Sequence, residues 1–299
     1  MSAITRIEDI EKAYKNLEFL NSPQARTIRI LCEHEEPRQR FRDQKVQDTI
    51  VFYGSARAVP REHAVTELTG AELELRAATD DDERRRIEHQ VKLAQRRVRL
   101  STYYEDAREL ARRLTDWSMT TRRGRYLVAT GGGPGIMEAA NRGASECPGG
   151  RSVGMGISLP FEEKLNPYVT PELGFVFHYF FMRKYWFAYL SKAMIVFPGG
   201  FGTMDELYEM LTLRQTRKIK KPLPTVLYGA EFWRQITDIQ ALVDWGTISE
   251  RDLLLFHRSD SVDDAFEYIT HSLEQVERER NGLSEDQQRP ERREIAKED

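Results

Sequence analysis

The sequence predicts an α/β protein built on a doubly wound parallel sheet, with helices at its N-terminus and a helical hairpin inserted into the sheet domain. The first observation is that short apolar runs alternate with segments of helical periodicity, as in parallel sheets that carry helices on both faces. The second is that two of these runs end in glycine-rich turns that open into a helix, at Gly131–Gly135 and at Gly199–Gly202. Such junctions are typical of the carboxyl edge of a Rossmann-like sheet.

Length and charge narrow the class of protein further. The chain has 299 residues, enough for a substantial core, and its 45 basic and 48 acidic residues leave a net charge of −3. This balance gives no argument for a nucleic acid or an anionic membrane as partner. Cys32 and Cys147 make no disulfide framework and have no metal-ligand spacing. The first residues form no apolar signal segment, so we expect a cytoplasmic protein.

Residues 1–48 are predicted to form helices. Apolar residues at helical intervals up to Leu17 indicate an amphipathic first helix, and Pro23 is a residue that can start a second one. The first buried strand is predicted at Thr49–Tyr53, and it ends in the turn Gly54–Ser55. A strand that runs into such a turn commonly presents backbone donors to a ligand, and the alternative is an ordinary tight turn.

A charged helical hairpin is predicted at residues 61–122, inserted into a sheet domain that spans residues 49–276. The segment is dense in Glu, Arg, Ala and Leu, with a break and a new helix start near Asp80. The second helix is predicted from about Asp82 to Trp117. Its arginine-rich part is interpreted as a solvated face, and we hold self-association through the hairpin as a hypothesis.

The first glycine-rich junction follows a predicted strand at Arg125–Thr130. It lacks the dinucleotide fingerprint, because Ile136 stands where a glycine would be required, and no Gly-Lys-Ser/Thr follows to make a Walker A loop. A phosphate site without either signature favours a mononucleotide or sugar phosphate over NAD or ATP. The candidate ligand-binding residues of this turn are Gly132, Gly133 and Gly135.

An aromatic segment follows the third predicted strand, which spans residues 152–160. The segment Phe175–Leu190 contains the cationic pair Arg183 and Lys184 among its aromatic residues. A buried cation without a partner is costly, so the pair is predicted to meet a phosphate, a base edge or an acid such as Glu206. The alternative is that both side chains are exposed.

The second glycine-rich junction organises the rest of the chain. A predicted strand at Met194–Phe197 ends in the turn Pro198–Gly200, and a helix opens at Gly202. Glycines let backbone N–H groups approach an anion, and a helix start adds unpaired donors and the positive end of the dipole. Glu206, one turn inside this helix, therefore suggests chemistry beside a phosphate. Alternatively, Thr203 and Glu206 form a capping box with no other role.

Four further elements are predicted towards the C-terminus. They are a fifth strand at Leu223–Tyr228, a helix at Phe232–Trp245, a short sixth strand at Leu253–Phe256 and a closing helix at Val262–Val276. The remaining residues, 277–299, are highly charged and are predicted to be disordered or a frayed helix.

Three of these motifs together resemble the LONELY GUY family. They are Gly-Gly-Gly-Pro-Gly-Ile-Met-Glu at residues 131–138, the pair Arg183 and Lys184, and Pro-Gly-Gly-Phe-Gly-Thr-Met-Asp-Glu at residues 198–206. The resemblance covers roughly residues 50–227. Members of this family include cytokinin riboside 5′-monophosphate phosphoribohydrolases, and many carry an older lysine decarboxylase-like label.

The resemblance implies hydrolysis of the N-glycosidic bond of a nucleoside 5′-monophosphate, such as AMP or a cytokinin riboside monophosphate, to free base and ribose 5-phosphate. It implies that Arg183 and Glu206 are the catalytic pair. Glu206 would activate water or stabilise the developing oxocarbenium ion, while Arg183 would hold the phosphate or base or orient Glu206. It also implies a homodimer or larger homo-oligomer. We expect no cofactor and no metal.

The candidate substrate contacts combine both glycine-rich turns with residues that the resemblance adds, among them an acid at Glu162 or Glu163. The full set is Gly54, Ser55, Gly132, Gly133, Gly135, Glu162, Lys184, Gly199, Gly200, Phe201, Gly202, Thr203, Asp205 and Thr212.

Two other functions remain open from the sequence. A non-catalytic nucleotide-binding or carrier protein on the same fold would bind a nucleotide without releasing its base. The co-occurrence of Arg183 and Glu206 favours an enzyme, because a carrier would not need that pair. A scaffold organised around the hairpin is the third hypothesis, and it leaves both glycine-rich turns unexplained.

Overall fold

A computed structural model of the chain describes residues 10–158 and 164–282. Its strands form a single sheet in which every neighbouring pair is parallel. In chain order the strands are β1 (Asp48–Tyr53), β2 (Tyr126–Thr130), β3 (Ser152–Ile157), β4 (Gly174–Phe177), β5 (Ser191–Val196), β6 (Thr225–Tyr228) and β7 (His257–Ser259). Their spatial order is β4-β3-β2-β1-β5-β6-β7, so the winding reverses between β1 and β5. The predicted doubly wound α/β fold is confirmed.

Helices connect these strands and cover both faces of the sheet. They are α1 (Leu17–Asn21), α2 (Arg26–Asp43), α3 (Arg61–Ala77), α4 (Asp81–Arg122), α5 (Ile136–Ser145), α6 (Phe180–Leu190), α7 (Phe201–Gln215), α8 (Ala230–Ile236), α9 (Ile239–Asp244) and α10 (Val262–Gly282). Short 3-10 turns lie at Ala13–Lys15, Pro23–Ala25, Pro171–Leu173 and Glu250–Leu255. In the described part of the chain, none of the helices has the length and apolar character needed to cross a membrane.

The central strand β1 separates two hydrophobic cores. All of its residues are buried, and successive side chains point to opposite faces. Ile50 and Phe52 belong to the core that contains residues of α4, α5 and α10, whereas Val51 and Tyr53 belong to the core beneath α6 and α7. A continuous apolar run is therefore what a strand needs when helices cover both of its faces.

The hairpin of α3 and α4 extends beyond the sheet. Helix α4 has 42 residues and is about 63 Å long. Trp117 stacks on Tyr126 at the start of β2, while Leu100 reaches the opposite, carboxyl edge of the sheet. The helix from Asp81 to Leu100 therefore projects past this edge by about 28 Å. Asp80 caps it by accepting hydrogen bonds from the amides of the first turn.

The N-terminal segment differs from the single amphipathic helix that was predicted. Residues 13–15 form a 3-10 turn and only Leu17–Asn21 are α-helical. The apolar side chains of Ile10, Tyr14 and Leu17 are 59%, 67% and 69% exposed. Helical periodicity alone does not hold so short a helix, because isolated helices of a few turns are marginal without a face to pack against.

The sixth predicted strand was wrong in position. Most of Leu253–Phe256 belongs to the 3-10 turn, and the edge strand of the sheet is instead β7. The local reason is a capping box, in which Ser249 N donates to Asp252 Oδ2 at 2.8 Å and the backbone amide of Asp252 donates to the Ser249 side chain. These polar contacts start a helical turn inside an apolar run that resembles a strand.

Other boundaries differ as well. The single helix predicted at Phe232–Trp245 is two helices, because Asp238 accepts a hydrogen bond from Ala241 N at 3.1 Å and starts α9 afresh. Strand β4 lies in the aromatic segment, where no strand was predicted. Helix α10 runs on to Gly282, into the stretch predicted to be disordered or a frayed helix, and residues 283–299 lie outside the described part of the chain.

Candidate active site

A cavity of about 700 Å³ lies at the carboxyl edge of the sheet, over the point where the strand order reverses. Doubly wound sheets bind their ligands in this position, because the loops on either side of the reversal diverge and leave a crevice. The turns that follow β1, β2 and β5 all contribute to its wall, together with residues of α4, α6, α7 and α8.

The turns after β1 and β5 are joined by backbone hydrogen bonds. Ser55 N donates to Pro198 O at 2.9 Å, and Phe197 N donates to Tyr53 O at 2.8 Å. The glycine that precedes α5 fits against the same place, because a Cβ at Gly135 would collide with Ser55 O. Its φ of +74° also lies in the region that favours glycine. Three turns that are far apart in sequence thus pack together at the carboxyl edge of the sheet.

The start of α7 is open towards the cavity. Gly200 is the N-cap, and Met204 N makes the first backbone hydrogen bond, to Gly200 O at 3.0 Å. The amides of the first turn before it are the donors that a helix leaves unpaired. Apart from the adjacent backbone, no atom of residues 10–158 and 164–282 lies within 4 Å of a Cβ placed on Gly200 or Gly202. An anion can therefore approach this backbone, as at other helix N-termini.

The capping-box alternative for Glu206 is wrong. Helix α7 begins at Phe201, so Thr203 and Glu206 both lie inside it, and no side chain in the described part of the chain caps its start. Thr203 instead contacts the turn, since its hydroxyl occupies the place of a Cβ on Gly199. The carboxylate of Glu206 is consequently free to act in the cavity that it lines.

Glu206 is a buried acid whose ionisation is tuned to neutral pH. Its side chain is 4% exposed, and Arg183 Nη2 donates to Glu206 Oε1 at 3.5 Å. Burial raises the pKa of the Glu206 carboxyl to about 7, although the nearby Lys184 and Arg183 cations act in the opposite direction. A carboxyl group with this pKa can accept and return a proton at neutral pH.

Arg183 has donor capacity left for a ligand. It lies on α6, its guanidinium sits 5.3 Å from the centre of the Phe180 ring, and it lines the cavity. Its Nε is buried and makes no hydrogen bond within the described part of the chain. Because an unpaired buried donor is costly, this atom is suited to a ligand oxygen or to an ordered water.

Residues 137–269 match the model of a protein family described as "Possible lysine decarboxylase". The span contains Arg183, Glu206 and the open start of α7, and it confirms the resemblance found in the sequence. No curated protein matches the chain.

Two solved structures are similar to the chain in fold. An X-ray structure of TM1055, a structural genomics target, has 21% sequence identity and a TM-score of 0.46. The match covers 77% of this chain and 99% of the TM1055 chain. A molybdenum cofactor binding protein from the phototrophic bacterium Rippkaea orientalis has 19% sequence identity and a TM-score of 0.40. That match covers 57% of this chain and 88% of the other protein's chain. These likenesses are too distant to bear on function.

Lys184, which lies next to Arg183 on α6, is turned away from the cavity. Its Nζ forms ion pairs with Asp205 Oδ2 at 2.8 Å and Glu209 Oε2 at 2.7 Å. Burial opposes the charged form, but these two hydrogen bonds raise the pKa of Lys184 above its ordinary value. Lys184, Asp205 and the exposed Thr212 were predicted as substrate contacts, and none of them lines the cavity in this chain.

The turn after β2 is held mainly by its own neighbours. Gly132 N donates to Thr130 Oγ1 at 2.9 Å, and the Gly132 and Gly133 carbonyls accept from Asn166 Nδ2 at 3.1 and 3.0 Å. Gly131 lines the cavity, whereas the predicted contacts Gly132, Gly133 and Gly135 do not. Glu162 and Glu163 lie outside the described residues.

The remaining residues predicted as contacts lie together at the cavity, and their role as substrate contacts stays a prediction. Those that line the cavity are Gly54, Ser55, Gly199, Gly200, Phe201, Gly202 and Thr203. The structure adds residues that sequence reasoning missed, among them Tyr53, Arg57, Leu100, Met137 and Phe232. Arg57 could have been found from its position just after Gly54–Ser55. Leu100 and Phe232 gave no local signal, because only the packing of distant helices brings them to the cavity.

The raised pKa of Glu206 predicts a pH-dependent stability. The contribution of Glu206 to stability is fully present below about pH 4.5 and is lost as the pH rises through about 7. The shift corresponds to about 3 kcal/mol. The unfolding free energy of Glu206→Gln relative to that of the parent, measured by urea unfolding, should therefore be about 3 kcal/mol higher at about pH 8 than at about pH 4.5. An equal difference at both pH values would show that the pKa is not raised.

Proposed function

We propose that the protein hydrolyses the N-glycosidic bond of a nucleoside 5′-monophosphate to free base and ribose 5-phosphate. The observation that carries this proposal is Glu206, a 4% exposed carboxyl with a pKa of about 7, paired with Arg183 in a cavity edged by an open helix start. Water supplies the oxygen that joins C1′, and the base leaves with a proton.

The phosphate group fits the start of α7. Unpaired amides and the positive end of the helix dipole attract an anion, and the open positions at Gly200 and Gly202 let it approach. Glu206 lies four residues beyond Gly202, about 6 Å further along the helix axis. A ribose 5-phosphate spans a similar distance between its phosphorus and its anomeric carbon. The same helix would thus hold the phosphate and present the acid to the bond that breaks.

Glu206 acts in its ionised form in this scheme. As the bond between C1′ and the base lengthens, the ribose acquires oxocarbenium character, which a nearby carboxylate stabilises while water attacks. The same carboxylate can take the proton of that water. Arg183 orients the Glu206 carboxylate through its charge-assisted hydrogen bond, and its buried Nε offers a second donor to the substrate.

The decarboxylase named in the family description is not the reaction that we propose. A lysine that forms a Schiff base must be able to lose its proton. Lys184, the lysine beside the proposed catalytic pair, is held between the carboxylates of Asp205 and Glu209, which keep it protonated. The residues that face the cavity instead suit an anionic sugar and a hydrolytic water.

The test is product analysis with a panel of nucleoside 5′-monophosphates. Purified protein incubated with AMP and the other common monophosphates should release free base and ribose 5-phosphate in equal amounts, separated by chromatography. A protein that is stabilised against heat by these nucleotides, yet releases no base from any of them, would be the non-catalytic binding protein and would overturn the proposal.

The pH dependence of base release should follow Glu206. Because its pKa is about 7 and the ionised form is the active one, kcat should rise with pH through about 7 and then level off. Initial rates at saturating AMP, measured between about pH 5 and 9, would show this rise in kcat and the plateau above it. A rate that is constant across this range would remove Glu206 from the proton-transfer step.

A further inference from the structure

The charged residues that line the cavity are not all paired. Among the described lining residues they are Arg57, Arg183 and Glu206. Arg183 donates to Glu206, so these two charges largely offset each other. Arg57 is exposed, and no ion pair joins it to an acid of the described part of the chain. The cavity therefore has one positive charge to spare once Glu206 ionises.

The backbone around Arg57 is fixed on both sides. Arg57 N donates to Ser55 Oγ at 3.1 Å, and Ser55 N is bonded to Pro198 O, so the residue is tied to the turn that leads into α7. Ala58, which follows it, is 2% exposed in the core of α4 and α5. Arg61 N then donates to Glu105 Oε1 on α4 at 3.0 Å. The long side chain of Arg57 thus starts from a defined point on the cavity wall.

A phosphate is the ligand group that would complement this arrangement of charges. Guanidinium groups bind phosphate oxygens through two parallel hydrogen bonds and stay charged at any physiological pH. Arg183 is engaged with Glu206, and Lys184 is held outside the cavity by two acids. Among the described residues that line the cavity, Arg57 is the remaining cation, and it is tied to the turn from which the open amides of α7 follow.

We propose that Arg57 binds the 5′-phosphate of the substrate together with the start of α7, and that it makes the site select phosphorylated over unphosphorylated nucleosides. This inference rests on the proposed function for the identity of the substrate. It adds the residue that determines recognition of the phosphate, whereas the glycine-rich turns supply only neutral donors.

Binding can be measured apart from turnover. In a Glu206→Gln background, titration calorimetry should show that Arg57→Met weakens AMP binding at least about tenfold, while adenosine binding changes less than about twofold. Arg57→Lys should recover part of the loss, since it restores the charge without the fork. The matched control is Arg61→Met, an arginine in the same segment that does not line the cavity, which should bind AMP like the parent.

Kinetics separates this role from a structural one. With Glu206 intact, Arg57→Met should raise KM for AMP at least about tenfold and lower kcat by less than about fivefold. If no monophosphate is hydrolysed, the proposed function fails while the comparison of AMP with adenosine still tests Arg57. Equal weakening of AMP and adenosine, or unchanged AMP binding in Arg57→Met, would overturn the role of Arg57 even if base release is observed.

Discussion

Replacing Glu206 by Gln should lower the rate of base release from AMP by roughly 10³-fold, without loss of the fold. The amide keeps the size of the side chain but can neither accept a proton nor balance a positive charge on the ribose. Its surroundings tolerate a neutral group, because burial already favours the protonated acid. Single-turnover assays with chromatographic detection of adenine would measure the loss, and circular dichroism would check the fold.

The matched control is Glu209→Gln, the same chemical change three residues further along α7. Glu209 forms an ion pair with Lys184 and does not line the cavity. We expect it to keep activity within about tenfold of the parent, through a modest change in the field at Glu206. If Glu206→Gln kept more than about a tenth of the parent activity, the carboxylate would have no catalytic role.

Replacing Gly135 by Ala should destabilise the protein by about 3 kcal/mol or more. The residue has a φ of +74°, and a new Cβ would meet backbone atoms of Ser55 and Ala56, which cannot move aside as a flexible side chain could. To remove this clash, the turn after β1 would have to move and break its hydrogen bond to the turn after β5. Urea unfolding should show the loss of stability, and AMP binding should weaken with it.

Gly202→Ala is the contrasting substitution. No atom lies within 4 Å of the new Cβ, and the residue is helical, so the unfolding free energy should stay the same or rise by up to about 1 kcal/mol. The methyl group would nevertheless occupy space through which an anion approaches α7, so AMP binding should weaken. If Gly135→Ala were as stable as Gly202→Ala, the close packing of Gly135 against the turn after β1 would contribute nothing to stability.

The alternation of apolar runs and helical segments was enough to predict the sheet, because strands buried on both faces must be apolar throughout. Prediction was wrong where a short-range polar contact outweighed the pattern. The capping box of Ser249 and Asp252 turned an apolar run into a helical turn, and Asp238 divided a helix in two. Such hydrogen bonds depend on geometry that residue types alone do not reveal.

The candidate site was predicted only in part. The turn at Gly199–Thr203 and the pair Arg183 and Glu206 are marked by local motifs, and the structure places them in one cavity. Lys184 belongs to the same motif, yet two acids hold it outside. Which neighbour of a pair faces the cavity depends on how α6 packs against α7, and the motif does not contain that information.

The sequence by itself determined the class of fold, the positions of its glycine-rich turns and the identity of the acid and arginine beside them. These follow from patterns that act over a few residues. Only the tertiary structure decided that Glu206 is buried enough to have a pKa of about 7, and that Arg57 is the cation left unpaired among the described residues that line the cavity. The physical reason is that burial and ion pairing depend on groups brought together from distant parts of the chain.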